Sequence, residues 1–427
     1  MRFRLEGRTV ALVLCGVVLA VVLGTVAGSR AVIRRHGHRR GPGDGTGPGG
    51  HRPTRRTDPQ AQSAAQGARP RAAGGRPSGM GRIREVAGLV LGKREVPWRA
   101  VASALLTSVT VAAPLAIAAA MGDPVAGGAL TLGAYLWTIS HMSNPRPLGP
   151  QVAAFTTVAL GLAAGAGFAA GGSLWLLVVM CGAWAVFQAV GEVAGGPLRM
   201  TAAMSTLCVL LSSMEGRASA PNALKFGILV AAGAAWEALV DLIRHPPFGS
   251  RAGGTRALAL GRLTGAWPKS RAYSALLAGT TMVAAATAGA IRISHGAWMA
   301  AAALRVLRPE STATLPRARQ RVLGTAGGAA VAAGLLAAPT HDPVAVVVVV
   351  VAVAAMQLIG PRRYGPWTFC LTLVALALNS AGHPGDLDLG GIRLILTVAG
   401  TGLAVASILA YEKGTRWWQQ RRADAPR

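Results

Sequence analysis

Long apolar runs separated by short polar segments dominate the chain. A helix crosses a bilayer core of about 30 Å with roughly 20 mostly apolar residues. By this rule the sequence predicts one leading span and twelve more, at 9–28, 100–121, 124–141, 151–170, 173–190, 198–213, 223–243, 272–292, 295–307, 322–338, 343–360, 363–380 and 391–411. Even the valine run at 346–351 is predicted to be helical, because an isolated strand in lipid leaves its backbone groups unpaired. The pattern predicts an all-α polytopic membrane protein with twelve transmembrane helices and one further candidate anchor helix at the N-terminus.

The segment between the first two spans has a different character. Its stretch "RRGPGDGTGPGGHRPTRRTDPQ" contains too few apolar side chains to form a core, so we expect residues 29–99 to be a disordered basic linker. Residues 1–28 are predicted to be a retained membrane anchor, because arginines follow the span and no convincing cleavage site does; a signal peptide is the alternative. A start at Met80 is a further alternative, so whether residues 1–79 belong to the native protein stays open.

Composition and charge narrow the class. With 52% hydrophobic residues, 14% charged residues and a mean hydropathy of +0.43, the chain is too apolar for an ordinary soluble domain. The net charge of +27 sits largely between apolar runs, which argues for membrane topology rather than nucleic-acid binding. All four cysteines lie within apolar segments without ligand-like spacing, so we expect no disulfide and no metal site. No phosphate-binding loop and no catalytic motif is found, so no cofactor and no enzymatic activity is expected.

The alternation of charge orients the spans. The segments 244–271, 305–321, 361–363 and 412–427 are basic, whereas the alternate loops carry mainly acids. The positive-inside rule therefore predicts a multi-pass plasma-membrane protein whose linker, central loop and C-terminal tail are cytoplasmic. Arg317, Arg319 and Arg321 are interpreted as anchors at the inner leaflet, since arginines at a helix end reach the headgroups at low cost.

The chain also resembles itself. Gly196 and Pro197 fall on Gly360 and Pro361 at an offset of 164, and Cys208 falls near Cys370. We therefore predict two parallel six-helix repeats, at 100–243 and 272–411, related by an axis along the bilayer normal and joined by the loop 244–271. The functional site is expected where the repeats meet. A chance match between helices rich in small residues is the alternative.

One stretch resembles a known family. "HGAWMAAAALRVLRPESTATLPRARQRVLGTAGGAAVAAGLL" is similar to the fusaric acid resistance protein-like family of membrane transporters, also called aromatic acid exporter-like. The matching positions are Trp298, Arg308, Pro309, Thr314, Arg317, Arg321, Gly324, Thr325 and Gly328, and "RRYGPWTFCLTLVAL" and "GGIRLILTVAGTGLA" also resemble it. The resemblance is good over 272–411 and weaker over 100–243. Many relatives carry a sizeable cytoplasmic domain where this chain has only 244–271, and a similarity to plant malate channels implies an anionic substrate by analogy.

Candidate anion ligands follow from the arginines. Arg305 and Arg308 end a helix too short to span, just before Pro309, and a broken helix at membrane depth is tolerated where it lines a cavity. Their guanidinium groups match a carboxylate. Arg393 and its counterpart Lys225, each early in a sixth helix, are predicted to face the passage, with headgroup anchoring as the alternative.

Further candidates concern the substrate's ring and the energy source. Thr314, Trp298 and Tyr364 complete the predicted substrate-binding set; the two aromatic residues, with Trp367, would stack an aromatic acid, and an interfacial aromatic belt is the alternative. The acids nearest apolar helices are candidates for proton coupling: Glu192, Glu237 and Asp241, although Asp241 could instead pair with Arg244.

The sequence thus predicts an exporter of small organic anions such as aromatic carboxylic acids. A passive anion channel fits the same residues. A membrane scaffold that recruits anionic lipid or cytoplasmic partners is an alternative from another class. Anionic headgroups at the basic loops and further copies of the chain are the other expected partners.

Overall fold

A computed structural model describes residues 97–142, 149–215, 219–245, 260–291, 295–336, 341–380 and 388–424. The predicted anchor at 9–28 and the linker up to residue 96 lie outside this range, as does the middle of the predicted loop 244–271.

Every regular element in the described part of the chain is a helix, as the apolar pattern predicts. In chain order they are α1 (Trp98–Met121), α2 (Pro124–His141), α3 (Pro150–Ala170), α4 (Leu174–Ala194), α5 (Gly196–Glu215), α6 (Ala220–Arg244), α7 (Leu260–Ala290), α8 (Ala297–Val306), α9 (Ser311–Leu336), α10 (His341–Ile359), α11 (Tyr364–Ser380) and α12 (Asp388–Ala423). Each predicted span from residue 100 onward corresponds to one of these helices.

Three helices extend well beyond their predicted spans. α7 and α9 begin eleven or twelve residues earlier than hydropathy indicates, and α12 runs twelve residues further. These extensions are polar, and hydropathy registers only the part of a helix that suits hydrocarbon. The expectation of a loop over 305–321 is therefore wrong for residues 311–321, which form the first turns of α9.

Five of the helices in the described part of the chain are both long enough and apolar enough to cross a membrane: α1, α3, α4, α6 and the greater part of α12. Only a third to a half of each apolar window is buried inside the protein. Large apolar side chains such as Leu162, Trp175, Leu224 and Ile228 point outward. A bilayer would cover such a surface, which makes this a membrane protein.

The packing partners of the helices form a pattern. Within the first six helices, α1 packs on α2, α6 on α2 and α3, and α5 on α3 and α4; within the last six, α7 packs on α8, α12 on α8 and α9, and α11 on α9 and α10. Between the two sets, α4 packs on α7 and α10 on α1. Adding six to every label in the first list gives the second.

Glycine permits the closest helix contacts. A Cβ on Gly233 of α6 would collide with the backbone of Leu130 on α2, and a Cβ on Gly400 of α12 would collide with the backbone of Met299 on α8. Larger residues would force these pairs of helices apart. The same device therefore joins α6 to α2 and α12 to α8.

The chain between α8 and α9 breaks where the sequence places Pro309. α8 has only 10 residues and ends at Leu307, which has extended backbone with ψ 130°. The Tyr273 hydroxyl donates to the carbonyl of Leu307 at 3.2 Å. Thr314 fixes the following turn, because its hydroxyl accepts from the Arg308 N–H at 3.0 Å and donates to the Glu310 carbonyl at 2.9 Å.

Candidate functional site

A cavity of about 580 Å³ lies where both sets of six helices contribute walls. Its lining comes from the end of α4, the start of α5, the α8–α9 break and the start of α11. These helix ends all belong to the side of the protein that carries the basic segments 305–321 and 361–363. We call this space the arginine cavity; its lining residues are Gln188, Glu192, Gly196, Arg199, Met200, Ala203, Arg305, Arg308, Ala313, Arg317, Gln320, Pro361, Arg362, Tyr364 and Trp367.

Positive charge dominates the lining. Five arginines stand against one acid, Glu192. The Glu192 carboxylate lies 2.7 Å from Arg199 Nη2 and 3.5 Å from Arg308 Nη1, so it bridges an arginine of α5 and one of the α8–α9 break. Since one carboxylate cannot neutralise five guanidinium groups, the cavity keeps a positive potential that attracts anions.

Aromatic rings form the other wall. Tyr364 and Trp367, both buried, lie with their ring planes 21° apart and their centroids 6.4 Å apart. Arg317 stacks over Tyr364 with its Cζ 4.8 Å from the ring centroid, and Arg305 Cζ lies 5.9 Å from that of Trp367. The Tyr364 hydroxyl donates to the Arg305 carbonyl at 3.3 Å. The cavity thus presents charge-assisted donors next to flat apolar surfaces.

The structure brings together some of the predicted site residues. Arg305, Arg308, Tyr364 and Glu192 all line the arginine cavity. Thr314 is fully buried beside it, but its hydroxyl is engaged by the backbone of the α8–α9 break. Its position there is that of a structural cap.

Trp298 and Arg393 form a separate contact in the protein interior. Arg393 Cζ lies 3.4 Å from the centroid of the Trp298 ring, and both side chains are at most 3% exposed. Neither residue lines the arginine cavity. Lys225, the predicted counterpart of Arg393, is exposed near the start of α6.

The two other predicted acids lie on α6. Glu237 and Asp241 are 2% and 4% exposed, and Asp241 Oδ1 lies 3.2 Å from Nδ1 of His245. Arg244 donates to Thr107 and Ser103 of α1. Neither acid lines the arginine cavity.

Sequence reasoning missed part of the cavity. Arg199 and Arg362 were not among the predicted ligands. The Gly-Pro-x-Arg pattern at Gly196–Arg199 recurs at Gly360–Arg363 and could have indicated Arg199, but Arg362 occupies the variable position of that pattern. Gln188 gave no signal, because a single amide in an apolar helix has no distinctive pattern.

The anchor interpretation of the three arginines at 317–321 fails for two of them. Arg319 is exposed, as an anchor should be. Arg317 is half-buried and lines the cavity, and Arg321 is only 2% exposed. The reason is that α9 is already helical here, so successive turns point Arg317 and Arg321 inward and Arg319 outward.

The second half of the chain matches a known protein family. Residues 264–407 match the family model described as fusaric acid resistance protein-like. This chain carries a fusaric acid resistance protein-like domain. The resemblance seen in the sequence over 272–411 is thereby confirmed, and the match includes the α8–α9 break, most of the arginines of the cavity and both Trp298 and Arg393.

Similarity to this family suggests a membrane transporter of exporter type. No match was found among curated proteins, and none among solved structures.

Proposed function

We propose that the protein exports small organic anions, and that aromatic carboxylates bind in the arginine cavity. One observation carries this proposal: five arginines and a stacked Tyr364–Trp367 pair line a single space of about 580 Å³. That volume lies within the range of about 300–1,000 Å³ of small-molecule pockets. A carboxylate would pair with the guanidinium groups, and its ring would lie against the two aromatic side chains.

Two parallel six-helix repeats, with twelve membrane crossings, complete the proposal. Support comes from the packing pattern, in which most pairings recur six helices later, and from the recurring contacts of Gly233 and Gly400. Gly196 and Gly360, which the sequence offset equates, both have positive φ (58° and 71°) and both precede a proline. Such an arrangement places the cavity between the repeats, open to the cytoplasm.

Glu192 supplies a means of coupling anion flux to protons. Its carboxylate pairs with Arg199 and Arg308, so an incoming carboxylate competes with it. Protonation of Glu192 would release both arginines for the substrate. In this scheme the proton and the organic anion bind together and cross in the same direction, so net export follows the outward concentration gradient of the anion. A passive channel would show no dependence on protons.

The decisive experiment measures benzoate flux in proteoliposomes. Arg305→Ala and Arg308→Ala should each lower the flux about tenfold or more, because each removes a charge-assisted contact. Arg319→Ala is the matched control, since Arg319 is an exposed arginine of the same segment. Unchanged flux in both cavity variants would rule out the proposal, and absence of flux in the unmodified protein would favour the scaffold alternative.

A second measurement addresses coupling. Glu192→Gln removes the competing charge, so benzoate should bind more tightly and its flux should lose its dependence on a proton gradient. A gradient dependence that survives in this variant would move the coupling acid elsewhere, with Glu237 and Asp241 as the next candidates.

A further inference from the structure

Two arginines lie deeper in the protein than the arginine cavity. Arg321 of α9 and Arg393 of α12 are 2% and 1% exposed. Arg321 follows Arg317, which lines the cavity, by one helical turn further from the start of α9. Arg393 lies on α12, which packs on α9, and it stacks on Trp298, about two turns before Arg305 on α8, so this pair continues inward from the cavity. We call Arg321 and Arg393 the inner pair.

The inner pair has unsatisfied donors. Nε and Nη1 of Arg321, and all three side-chain nitrogens of Arg393, have no hydrogen-bond partner within the described residues. Among the described residues, no carboxylate forms an ion pair with Arg321 or Arg393. Buried guanidinium groups without an acid are costly, since each donor loses water and gains nothing in return.

The contact with Trp298 compensates only one side of Arg393. The Arg393 Cζ sits 3.4 Å from the ring centroid, so the flat face of the guanidinium is stacked. Its N–H donors point outward in the plane of the group, where a carboxylate or halide would bind. Stacking therefore holds the side chain in place without using any of its hydrogen-bonding capacity.

Neutral donors lie on the same helices. The hydroxyl of Thr325, one turn beyond Arg321, is buried and has no hydrogen-bond partner in the described part of the chain, and the same is true of the hydroxyl of Thr401 on α12. Hydroxyl groups beside guanidinium groups are suited to a small anion, because they donate without adding charge.

We propose that the inner pair is a second anion site, which receives a carboxylate or a small inorganic anion beyond the arginine cavity. As a step of export it rests on the function proposed above, although anion binding at the pair is a property of its own. An anion that binds here draws the Arg393 donors toward it and changes the stacking on Trp298. The fluorescence of Trp298 then reports occupancy.

The test is a fluorescence titration of the purified full-length protein in detergent, with sodium benzoate or sodium chloride added to a zwitterionic buffer of low ionic strength. A signal that is present in the unmodified protein and absent in Trp298→Phe is assigned to the inner pair. Arg393→Gln and Arg321→Gln should weaken the apparent affinity about tenfold or more. Arg319→Gln, which removes an exposed cation of α9, should change nothing.

Titration with the two anions distinguishes an organic ligand from an inorganic one. A Trp298 signal with benzoate alone assigns the site to the organic anion, and one with chloride alone assigns it to an inorganic ion; both support the site. No Trp298-dependent signal with either anion overturns it. Thermal unfolding verifies that the variants fold, and Arg393→Lys, which keeps the charge, replaces Arg393→Gln if the latter does not.

The outcome also separates the two proposals. If Arg308→Ala abolishes benzoate flux while Arg393→Gln and Trp298→Phe leave flux and fluorescence unchanged, the cavity stands and the inner site falls. If the unmodified protein shows the Trp298 signal but no flux, the inner site stands and the transport proposal falls.

Discussion

The two sets of six helices place different polar side chains at equivalent positions. The offset of 164 that relates Gly196 to Gly360 places His141, at the end of α2, on Arg305, at the end of α8. His141 is fully buried, its Nε2 lies 3.1 Å from Thr156 Oγ1, and that hydroxyl lies 3.0 Å from Thr201 Oγ1. Trp137 packs on the imidazole ring with centroids 4.5 Å apart. The buried imidazole of His141 and the hydroxyls of Thr156 and Thr201 are thus hydrogen-bonded to one another.

In the second set the corresponding region is cationic. Arg305 faces the arginine cavity, and the inner pair beyond it leaves its donors unsatisfied. A hydrogen-bond chain stabilises a core, whereas guanidinium donors without partners are available to an anionic ligand. The difference indicates that the first set acts mainly as a scaffold and that the second set carries most of the anion chemistry. The predictions below can contradict or refine that division.

The largest effect is expected when Arg305 of the second set is replaced by histidine, the residue at the equivalent position of the first set. Arg305→His should lower benzoate flux about tenfold or more at pH 7.5, because imidazole is mostly neutral there and supplies at most one donor. Flux in proteoliposomes, with protein content matched, is the measurement. Arg319→His is the control on the exposed face, and undiminished flux in Arg305→His would show that the cavity does not need a permanent charge at this position.

Next in size are the two glycine contacts, which should behave alike if the sets are repeats. Gly233→Val and Gly400→Val each drive a side chain into a facing backbone, so each should destabilise the protein toward the upper end of about 1–3 kcal/mol. Gly402→Val, an exposed position of α12 with open space around it, is the control. Thermal unfolding in detergent measures all three, and a loss confined to one of the two glycines would count against equivalence.

A smaller effect is expected when the hydrogen-bond chain His141–Thr156–Thr201 of the first set is broken. His141→Ala leaves Thr156 and Thr201 with fewer partners and should cost about 1–2 kcal/mol of stability. Benzoate flux per folded molecule should stay near that of the unmodified protein. Thr201→Val, at the far end of the chain, should show a weaker version of the same result. A flux loss in His141→Ala as large as in Arg305→His would place ligand chemistry in both sets.

The sequence predicts the helices well because their cause is local. A run of about 20 apolar residues must form a helix in lipid, whatever surrounds it, so α2 begins and ends at its predicted bounds. The polar first turns of α9 could not be predicted this way, because their arginines and Pro316 are equally typical of a loop. Proline is tolerated there because it lies close to the start of the helix, where few backbone bonds are lost.

The site could be predicted only in part. The Arg-Pro break marks Arg305 and Arg308, since a helix of this length signals its own interruption. Whether an arginine meets headgroups or the interior depends on its turn of the helix and on the neighbouring helices. Arg319 and Arg321, two residues apart, therefore point to opposite environments, and this difference is invisible until the bounds of α9 are known.

The smallest predicted effect concerns a contact made by the C-terminal extension of α12, in the second set. Glu412 lies beyond the predicted span, and its carboxylate accepts from the backbone N–H of Ser311 at 2.8 Å and from its hydroxyl at 2.9 Å. An acid at a helix start accepts hydrogen bonds from free N–H groups, and its negative charge interacts favourably with the positive end of the helix dipole. Glu412 therefore fixes the first turn of α9. Arg317 lies little more than one turn further along, which ties this contact to the cavity.

Glu412→Ala should therefore increase hydrogen exchange at the first turn of α9, with Glu412→Gln intermediate because its amide oxygen keeps one acceptor. The unfolding temperature should fall less than in the glycine variants, and benzoate affinity should weaken only slightly, since Arg317 becomes less firmly placed rather than lost. Glu310→Gln, an exposed acid beside the same turn, is the control for charge alone. Equal exchange in Glu412→Ala and the unmodified protein would mean that α9 holds its start without α12, and the extension would then need another role.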